Sequence, residues 1–550
     1  MIVNAHAAGE DDPIRLHVGN RVLNPIDSRL FGQFLERPSW GETGPEAAVN
    51  HEGSLPGDIT TELRAMRIPI VRFPGGTDVD FTDWTDMVSN VPGRAEPGRP
   101  VTVGHQGHKV TNRFGYDEYF RLAKDLDWQT ILVVNFLDGL LKRKPLDEAA
   151  RHAAGLVAYV TAREGSKLPP GMPDWPALRR SNGHAEPHGV RIFQIGNEWF
   201  MGHYKEHALK TTGARDMKEL AAWYVTCIAA YADAMRAVDP GIELIMDAQM
   251  GDGELERLVL EHPEVRRRVQ YVAMHRYAPW KTAAAERDGK SVPLDSLDPA
   301  ETWLALASTP GCYEDGVSTA FGTRHLFLKD LGYKVAATEW NWNGSGLRAL
   351  RLPAGLHYTH AAALGAAGFL QGLLRLGDLV AIANQSMLVG QNWQIAAIRP
   401  ANPEKGSPLH LNGQGAVTTL YNLHHGDRRL ELTAEHVPTV VQHLALGAAS
   451  PIPQVALLDA VATRSEKSLY LHVINRACDR DLAAEIDLKA LGVGDSRATL
   501  HSLVPAPMEA DPRKMRAIMI NQDATATVRN GIGAVVFPRC SVSVMEINLE

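Results

Sequence analysis

The stretch RIFQIGNE, residues 191–198, carries the pattern that decides the fold. Its first residues are almost continuously apolar, which is typical of a strand buried on both faces of a parallel sheet. It then ends in two polar side chains, Asn197 and Glu198. Similar short apolar runs recur along the chain and predict eight core strands, at residues 30–36, 68–74, 129–136, 191–198, 243–249, 270–277, 334–341 and 379–385.

Helical patterns lie between these runs. Residues 220–238 place apolar side chains on one stripe and stop before Pro240, and residues 117–126 and 356–376 also read as helices. The alternation predicts an α/β fold, a (β/α)8 TIM barrel over residues 30–395. A doubly wound open sheet would also alternate, but no glycine-rich phosphate loop follows the first strand, so the barrel is favoured.

The pattern changes after residue 400. Residues 469–473 alternate apolar and polar positions, as in half-buried antiparallel strands, and helical stripes are scarce. We therefore predict a C-terminal antiparallel β-sandwich domain over residues 400–550. The strand-like residues 12–25 are expected to join this domain, which would make it discontinuous.

Composition limits the possible functions. The 550 residues are 45% hydrophobic and 22% charged, which excludes wholesale disorder. A formal net charge of −8 argues against nucleic acid or a membrane as the main partner. The four cysteines are scattered and fit a reducing compartment. Neither a secretory signal nor an apolar stretch of ~20 residues is evident, so a cytoplasmic location is predicted.

Polar residues recur at the predicted strand ends. A single one would as readily cap a loop. A whole set predicts a cleft, because the carboxyl ends of barrel strands form the face where TIM barrels carry their reacting groups. The set comprises Glu36, Arg72, Asn135, Asn197, Glu198, Asp247, His275, Tyr277, Glu339 and Asn384.

Glu198 and Glu339 end strands four and seven, which lie on roughly opposite sides of the barrel. Glycoside hydrolysis needs two carboxyl groups flanking the scissile bond. A gap of ~5–5.5 Å implies a covalent intermediate and retention, and ~6.5–9.5 Å implies inversion. Apolar Trp199 beside Glu198 favours a protonated acid, and Arg72 is available to keep a nucleophile ionised.

Other chemistries find less support in the sequence. The histidines show no HExxH or comparable metal spacing, and Ser345 does not sit in a GxSxG elbow. No phosphate-binding GxxxxGK[ST] loop occurs. The prediction is therefore a hydrolase that needs neither a metal nor an organic cofactor.

Several motifs resemble one family. They are LFGQFLE (30–36), LRAMRIPIVRFPGG (63–76), QIGNEWF (194–200), MHRY (274–277), ATEW (337–340) and FPRCSVSVMEINL (537–549). In this order they resemble the family 51 α-L-arabinofuranosidases, within the clan of (β/α)8 glycosidases. The resemblance covers most of the chain, including a jelly-roll-like tail.

This resemblance implies roles for individual residues. Glu198 would be the acid/base and Glu339 the nucleophile of a retaining, exo-acting enzyme with an oligosaccharide substrate. Homo-oligomers are expected in the family. The residues that would bind substrate or support the nucleophile are Glu36, Arg72, Asn197, His275, Tyr277, Trp340 and Gln391.

Two positions depart from the family pattern. Thr77 stands where the family usually has Asn or Cys after PGG, and Arg37 stands where it has His. Both departures fall near the expected sugar pocket. A glycosidase of other specificity, such as a β-xylosidase, an endoglucanase or another furanosidase, therefore stays open as the alternative. A non-catalytic carbohydrate-binding protein is a third reading, which the pair of glutamates disfavours.

Overall fold

The computed structural model describes residues 12–36, 54–105, 107, 109–199, 202–247, 253–279, 285–309, 326–343, 350–390, 395–402, 406–446, 451–507 and 517–549. Within these residues, eight parallel strands pair in chain order and the last pairs with the first, so the predicted (β/α)8 barrel is confirmed. The barrel strands are Gly32–Phe34, Ile70–Phe73, Gln129–Val134, Ile192–Ile195, Glu243–Asp247, Tyr271–Tyr277, Lys334–Asn341 and Val380–Ser386.

Helices surround the barrel strands. The three helices predicted from sequence are present as Tyr116–Asp125, Met217–Val238 and Tyr358–Arg375. Apolar stripes at helical spacing face the sheet, as residues 220–235 illustrate. The other α-helices among the described residues are Gly57–Met66, Leu137–Leu140, Leu146–Thr161, Trp175–Ser181, Gly202–Thr212, Glu254–Leu260, Pro263–Arg266, Pro299–Ser308, Leu326–Asp330 and Gly413–Leu423.

Branched side chains fill the barrel interior near the amino ends of the strands. Ile70, Ile131, Ile192, Ile245 and Ile382 form one buried apolar cluster there. Packed layers of this kind are usual in TIM barrels and leave the opposite end available for polar groups. The fold thus separates an apolar floor from a polar carboxyl-terminal face.

A second closed sheet forms the β-rich region, and its strands are antiparallel except for one pairing. Strand Ile14–Pro25 pairs antiparallel with Arg428–Glu435 and parallel with Leu482–Asp487. The predicted antiparallel β architecture is therefore confirmed, with its first strand drawn from the amino-terminal segment. Its other described strands are Leu458–Arg464, Ser468–Asn475, Ser496–Pro505, Met519–Arg529, Ile532–Phe537 and Ser541–Asn548.

The remaining described strands are short: Thr102–Val103, Lys109–Val110, Ala285–Arg287, Lys290–Val292, Ile398–Arg399, His410–Leu411, Thr439–Gln442, Leu444–Leu446 and Ile452–Ala456. Among the described residues, no helix combines the length and the apolar character needed to cross a membrane. The division into domains 30–395 and 12–25 plus 400–550 stays a proposal. Helix Gly413–Leu423 lies beyond residue 400 yet packs against the barrel helix Tyr358–Arg375.

Candidate active site

Glu339 lies at the carboxyl end of the seventh barrel strand, held by two donors. The fully buried Arg72 donates from Nη1 to Oε1 at 2.8 Å, and the Tyr277 hydroxyl donates to Oε2 at 2.9 Å. Burial alone would raise the pKa of this carboxyl. The nearby His275 ring, Arg72 and the hydrogen bonds outweigh burial and hold the pKa of Glu339 below its usual range. The arrangement favours a bare carboxylate.

Glu198 lies at the end of the fourth strand, where the backbone turns sharply. Gly196 and Glu198 both have positive φ, 75° and 50°, and this turn directs the Glu198 side chain toward His275. His275 Nδ1 is 2.9 Å from Glu198 Oε1, and its Nε2 is 2.9 Å from the Thr338 hydroxyl oxygen. Burial lowers the pKa of His275, but Glu339 and Glu198 outweigh it, so this pKa lies above its usual value.

The two carboxyl groups share one small space. One carboxylate oxygen of Glu198, one of Glu339 and one ring nitrogen of His275 all lie within 4.8 Å of one another. At least one oxygen of each carboxyl group therefore lies within 4.8 Å of the other group, which is compatible with the ~5–5.5 Å between the carboxyl groups of retaining glycosidases. This arrangement suits direct attack by one carboxylate on a bound sugar.

Asn197 connects the two sides of the site. Arg72 Nη2 donates to its side-chain oxygen at 2.6 Å, which turns the amide nitrogen away from the guanidinium. That buried nitrogen, Nδ2, has no hydrogen-bond partner among the described residues. A buried N–H donor without a protein partner is suited to donate a hydrogen bond to a hydroxyl oxygen of a ligand.

Asp80 supports Asn197 from below. Its carboxylate accepts the Asn197 backbone N–H at 2.9 Å and the N–H groups of Phe136 and Leu137 at 2.7 and 3.2 Å. Burial raises the pKa of Asp80 to about 6, although these three hydrogen bonds act in the opposite direction. One carboxylate thus joins the ends of the third and fourth strands.

Glu36 lies against the PGG turn that follows the second strand. Gly75 and Gly76 have φ of 46° and 69°, which glycine adopts most readily. A Cβ on Gly76 would stand 1.8 Å from the Glu36 carboxylate, and one on Gly75 would stand 2.0 Å from the Phe34 ring. The two glycines therefore let the turn approach the buried Glu36 closely.

The structure gathers most of the residues predicted for the site. Arg72, Asn197, Glu198, His275, Tyr277 and Glu339 form one connected hydrogen-bonded group, through the contacts given above. Glu36 is buried at the end of the neighbouring first strand. Gln391 lies outside the described residues, as do Arg37, Trp280 and Trp393.

The structure does not bring Trp340 to this group. Its indole is fully buried and packs against Phe369 of helix Tyr358–Arg375, because it follows inward-facing Glu339 and so points outward. Trp199 is similarly buried against Tyr224. Neither ring offers a face to a sugar in this arrangement.

Three other strand-end residues support the backbone. The side-chain oxygen of Asn135 accepts the backbone N–H of Asp138, and its amide nitrogen donates to the Thr82 carbonyl. Asp247 accepts the backbone N–H of Trp199 at 3.0 Å. Asn384 donates to a carbonyl on the first strand. These three residues therefore bond to the backbone at strand ends and loops, which is the alternative to a role in a cleft that the sequence left open for any single strand-end residue.

Sequence reasoning missed some supporting residues. Gln194 accepts from Arg72 Nε at 2.9 Å, and its signal was a lone amide within an apolar strand. Thr338 holds the far side of His275. Asp78 and His105 pair at 2.5 Å in the loop after the second strand, 27 residues apart, and no local pattern announces that contact.

The group formed by Glu198, His275 and Glu339 also contains residue types that bind metal ions. Its two carboxylates and one imidazole lie at a spacing that a metal ion could bridge. Arg72, however, already places a permanent positive charge at 2.8 Å from Glu339. A divalent cation at the same oxygen would be repelled, so the chemistry favours carboxyl catalysis.

Several known proteins are similar to this chain in sequence. A family model described as the α-L-arabinofuranosidase 1 domain matches residues 62–289. An intracellular exo-α-(1→5)-L-arabinofuranosidase of Bacillus subtilis is 28% identical over 268 residues, 46% of each chain. One of Streptomyces lividans is 27% identical over 271 residues, 46% of this chain and 35% of its own. The aligned segments thus span less than half of these relatives.

Solved structures extend the fold comparison to the whole chain. The family 51 α-L-arabinofuranosidase of Thermotoga petrophila covers 97% of this chain and 99% of its own, with a TM-score of 0.70 and 22% identity. That of Thermotoga maritima, solved as an arabinose complex, covers 98% and 100%, with a TM-score of 0.70 and 21% identity. These comparisons confirm the resemblance that the motifs indicated.

Proposed function

We propose that this protein, which resembles the family 51 α-L-arabinofuranosidases in motifs and fold, is a retaining exo-glycoside hydrolase. It would release terminal α-L-arabinofuranosyl residues from oligosaccharides without a cofactor. The observation that carries the proposal is the pair of carboxyl groups, Glu198 and Glu339, within 4.8 Å of one another at the carboxyl face of the barrel. The exo-acting, arabinose-specific part rests on the named relatives.

In the first step, Glu198 donates its proton to the glycosidic oxygen while Glu339 attacks the anomeric carbon. The glycosidic C–O bond breaks, the aglycone leaves as an alcohol, and an ester forms between the sugar and Glu339. The lowered pKa of Glu339 keeps this nucleophile ionised. His275, at 2.9 Å, shares a hydrogen bond with Glu198 and positions it.

In the second step, Glu198 acts as a base. It takes a proton from water, the resulting hydroxide attacks the anomeric carbon, and the ester to Glu339 breaks. Two inversions give overall retention. We assign the unmatched Asn197 amide to a sugar hydroxyl, and we place Glu36 in the same subsite because it lies beside the PGG turn.

The second candidate function keeps the two glutamates and changes the sugar. The observation that favours it is Thr77, which is buried directly after the PGG turn and differs from the family pattern. The likeness to a bifunctional glucanase-xylanase, at 12% identity and a TM-score of 0.56, shows the fold alone.

A panel of nitrophenyl glycosides tests the proposal. We expect strong hydrolysis of the α-L-arabinofuranoside and weak hydrolysis of the β-xyloside and β-glucoside. Strong cleavage of another sugar with none of the arabinofuranoside would replace the first candidate with the second. Sugar binding without turnover of any member would support the non-catalytic reading instead.

We further propose that the protein works inside the cell and as a homo-oligomer. The first proposal rests on the two relatives named as intracellular enzymes, and the second on the family resemblance. Fractionation of the producing cells and light scattering on the purified chain test the two statements separately. Activity confined to the culture medium, or a monomeric mass, would contradict them.

A further inference from the structure

A second group of histidine and carboxylate side chains lies away from the proposed active site. His424 caps the carboxyl end of helix Gly413–Leu423. His501 and Glu546 lie on the paired strands Ser496–Pro505 and Ser541–Asn548 of the β-rich region. We call His424, His501 and Glu546 the junction cluster, because it joins a helix that packs on the barrel to the β sheet.

Three donor atoms converge in the junction cluster. His424 Nδ1 is 3.0 Å from Glu546 Oε2, and His501 Nε2 is 3.7 Å from the same oxygen. One donor atom from each residue lies within 4.8 Å of the other two. A tetrahedral Zn²⁺ with bonds near 2.0–2.2 Å would separate its donors by about 3.3 Å. Rotation of these partly exposed side chains would bring the three atoms to that spacing.

Asp523 orients one of the imidazoles. It lies directly opposite His501 on the neighbouring strand, and its carboxylate is 3.4 Å from His501 Nδ1. His501 thus has Nε2 toward Glu546 and Nδ1 toward a second carboxylate. This carboxylate–imidazole arrangement is the one that commonly supports metal-bound histidine, since it fixes the tautomer and ring orientation.

We propose that the junction cluster is a binding site for one divalent transition-metal ion, with His424, His501 and Glu546 as ligands and Zn²⁺ as the reference ion. Two imidazole nitrogens favour Zn²⁺, Ni²⁺ or Cu²⁺ over Mg²⁺ and Ca²⁺, which prefer oxygen donors. The side chains are 20–30% exposed, so an ion can enter and a water can complete the coordination.

The two imidazole rings stack with centroids 4.0 Å apart and planes inclined by 22°. Because an imidazole nitrogen binds a metal ion in the plane of its ring, one of the two rings would turn out of this stack when the ion binds.

A bound ion would stabilise the contact between helix Gly413–Leu423 and the β sheet without taking part in sugar hydrolysis. Anything that binds the folded state alone raises its stability by mass action. The consequence is separate from the glycosidase proposal, because the metal site and the hydrolase activity have different readouts.

The test uses the full chain after treatment with a chelator. Isothermal titration with ZnCl2 should give one ion per chain, and Tm should rise by a few degrees. His424→Ala and His501→Ala should weaken binding by ~100-fold or more, and Asp523→Asn by ~10–100-fold. His443→Ala, at an exposed histidine outside the cluster, is the matched control and should bind as the wild type does.

Two outcomes would overturn the metal site. One is Zn²⁺ binding that is equally tight in the wild type and in the His424→Ala/His501→Ala double variant. The other is a wild-type chain whose Tm does not respond to Zn²⁺. If a variant does not fold, the Co²⁺ spectrum of the wild type decides: strong visible bands of a tetrahedral complex support the site, and the weak spectrum of hydrated Co²⁺ contradicts it.

Discussion

Two clusters in this molecule combine histidine with glutamate, and both bring three donor atoms within 4.8 Å. The barrel cluster contains Glu198, His275 and Glu339, and the junction cluster contains His424, His501 and Glu546. Arg72 lies buried against the first cluster at 2.8 Å from Glu339. In the second cluster, a second imidazole stacks on the first at 4.0 Å.

The comparison shows how neighbours decide the chemistry of similar donor sets. A buried guanidinium supplies permanent positive charge, so the barrel carboxylates can work as nucleophile and acid without an ion. Two imidazoles with a carboxylate offer ligand atoms with free electron pairs and no permanent positive charge, which is what a metal ion needs. The two clusters also differ in solvent exposure. Arg72 in the barrel cluster is fully buried, whereas the side chains of the junction cluster are partly exposed and can be reached by an ion.

Replacing the proposed nucleophile should give the largest effect. Glu339→Ala removes the group that would form the ester, and we expect kcat to fall by about 10⁴–10⁶-fold on the arabinofuranoside. Steady-state kinetics measures this loss. Glu264→Ala, at a surface ion pair, is the matched control and should retain full turnover. Substantial activity in Glu339→Ala would break the contrast between the two clusters.

Replacing the proposed acid/base should give a loss of activity that depends on the leaving group. Glu198→Ala should slow alkyl arabinofuranosides by ~10²–10⁴-fold, and nitrophenyl substrates much less, because nitrophenolate needs no protonation. Added azide should rescue both variants with opposite stereochemistry. Proton NMR should show the α-azide from Glu198→Ala and the β-azide from Glu339→Ala. The same anomer from both variants would refute the assigned roles.

Removing one donor to Glu339 should shift the pH profile. Glu339 has a pKa below its usual range, so its carboxylate is lost only as the pH falls below that range. Tyr277→Phe deletes the 2.9 Å hydrogen bond, which raises the pKa of Glu339 and moves the acid limb of kcat/KM to higher pH. A charged hydrogen bond contributes ~1.5–3 kcal/mol, so the shift should reach about one pH unit.

Tyr333→Phe is the matched control for this change. Tyr333 is also buried, but its hydroxyl donates to the Leu260 carbonyl, remote from Glu339. We expect its pH profile to coincide with that of the wild type. Superimposable acid limbs for Tyr277→Phe and the wild type would show that Tyr277 does not tune the nucleophile.

Metal removal should have the smallest effect on turnover. Chelation of the metal-loaded chain should leave kcat/KM at 25 °C unchanged within error and lower Tm by a few degrees, because the junction cluster has no part in the hydrolysis. Kinetics and calorimetry on the same sample measure both. A chelator that abolishes turnover would place a metal in the barrel cluster.

Much of the barrel was predictable because its strands are buried on both faces. Continuous apolar runs such as 129–134 have few alternative structures, and the polar residue that ends each run falls on the catalytic face of a TIM barrel. The antiparallel strands of the β-rich region were predictable because their apolar and polar residues alternate with a period of two. The closure of its sheet was not predictable, because it depends on the parallel pairing of residues 14–17 with a strand more than 400 residues away.

The site was predictable where a residue ends a strand and points inward. Glu198 and Glu339 satisfied both conditions. Trp340 did not, because one step along the strand turns a side chain to the opposite face. The Asp78–His105 pair and the junction cluster were not predictable, since their residues come together through loops and distant strands that carry no local signal.

The proposed mechanism requires Glu339 to be the nucleophile that forms a covalent intermediate. An arabinofuranose-configured cyclitol epoxide, which alkylates the nucleophile of a retaining glycosidase, can be followed by peptide mass spectrometry. We predict one label per chain on Glu339, with inactivation slowed by free arabinose. Labelling of Glu198 or Glu36 in its place, or no labelling in an active preparation, would contradict the proposed mechanism.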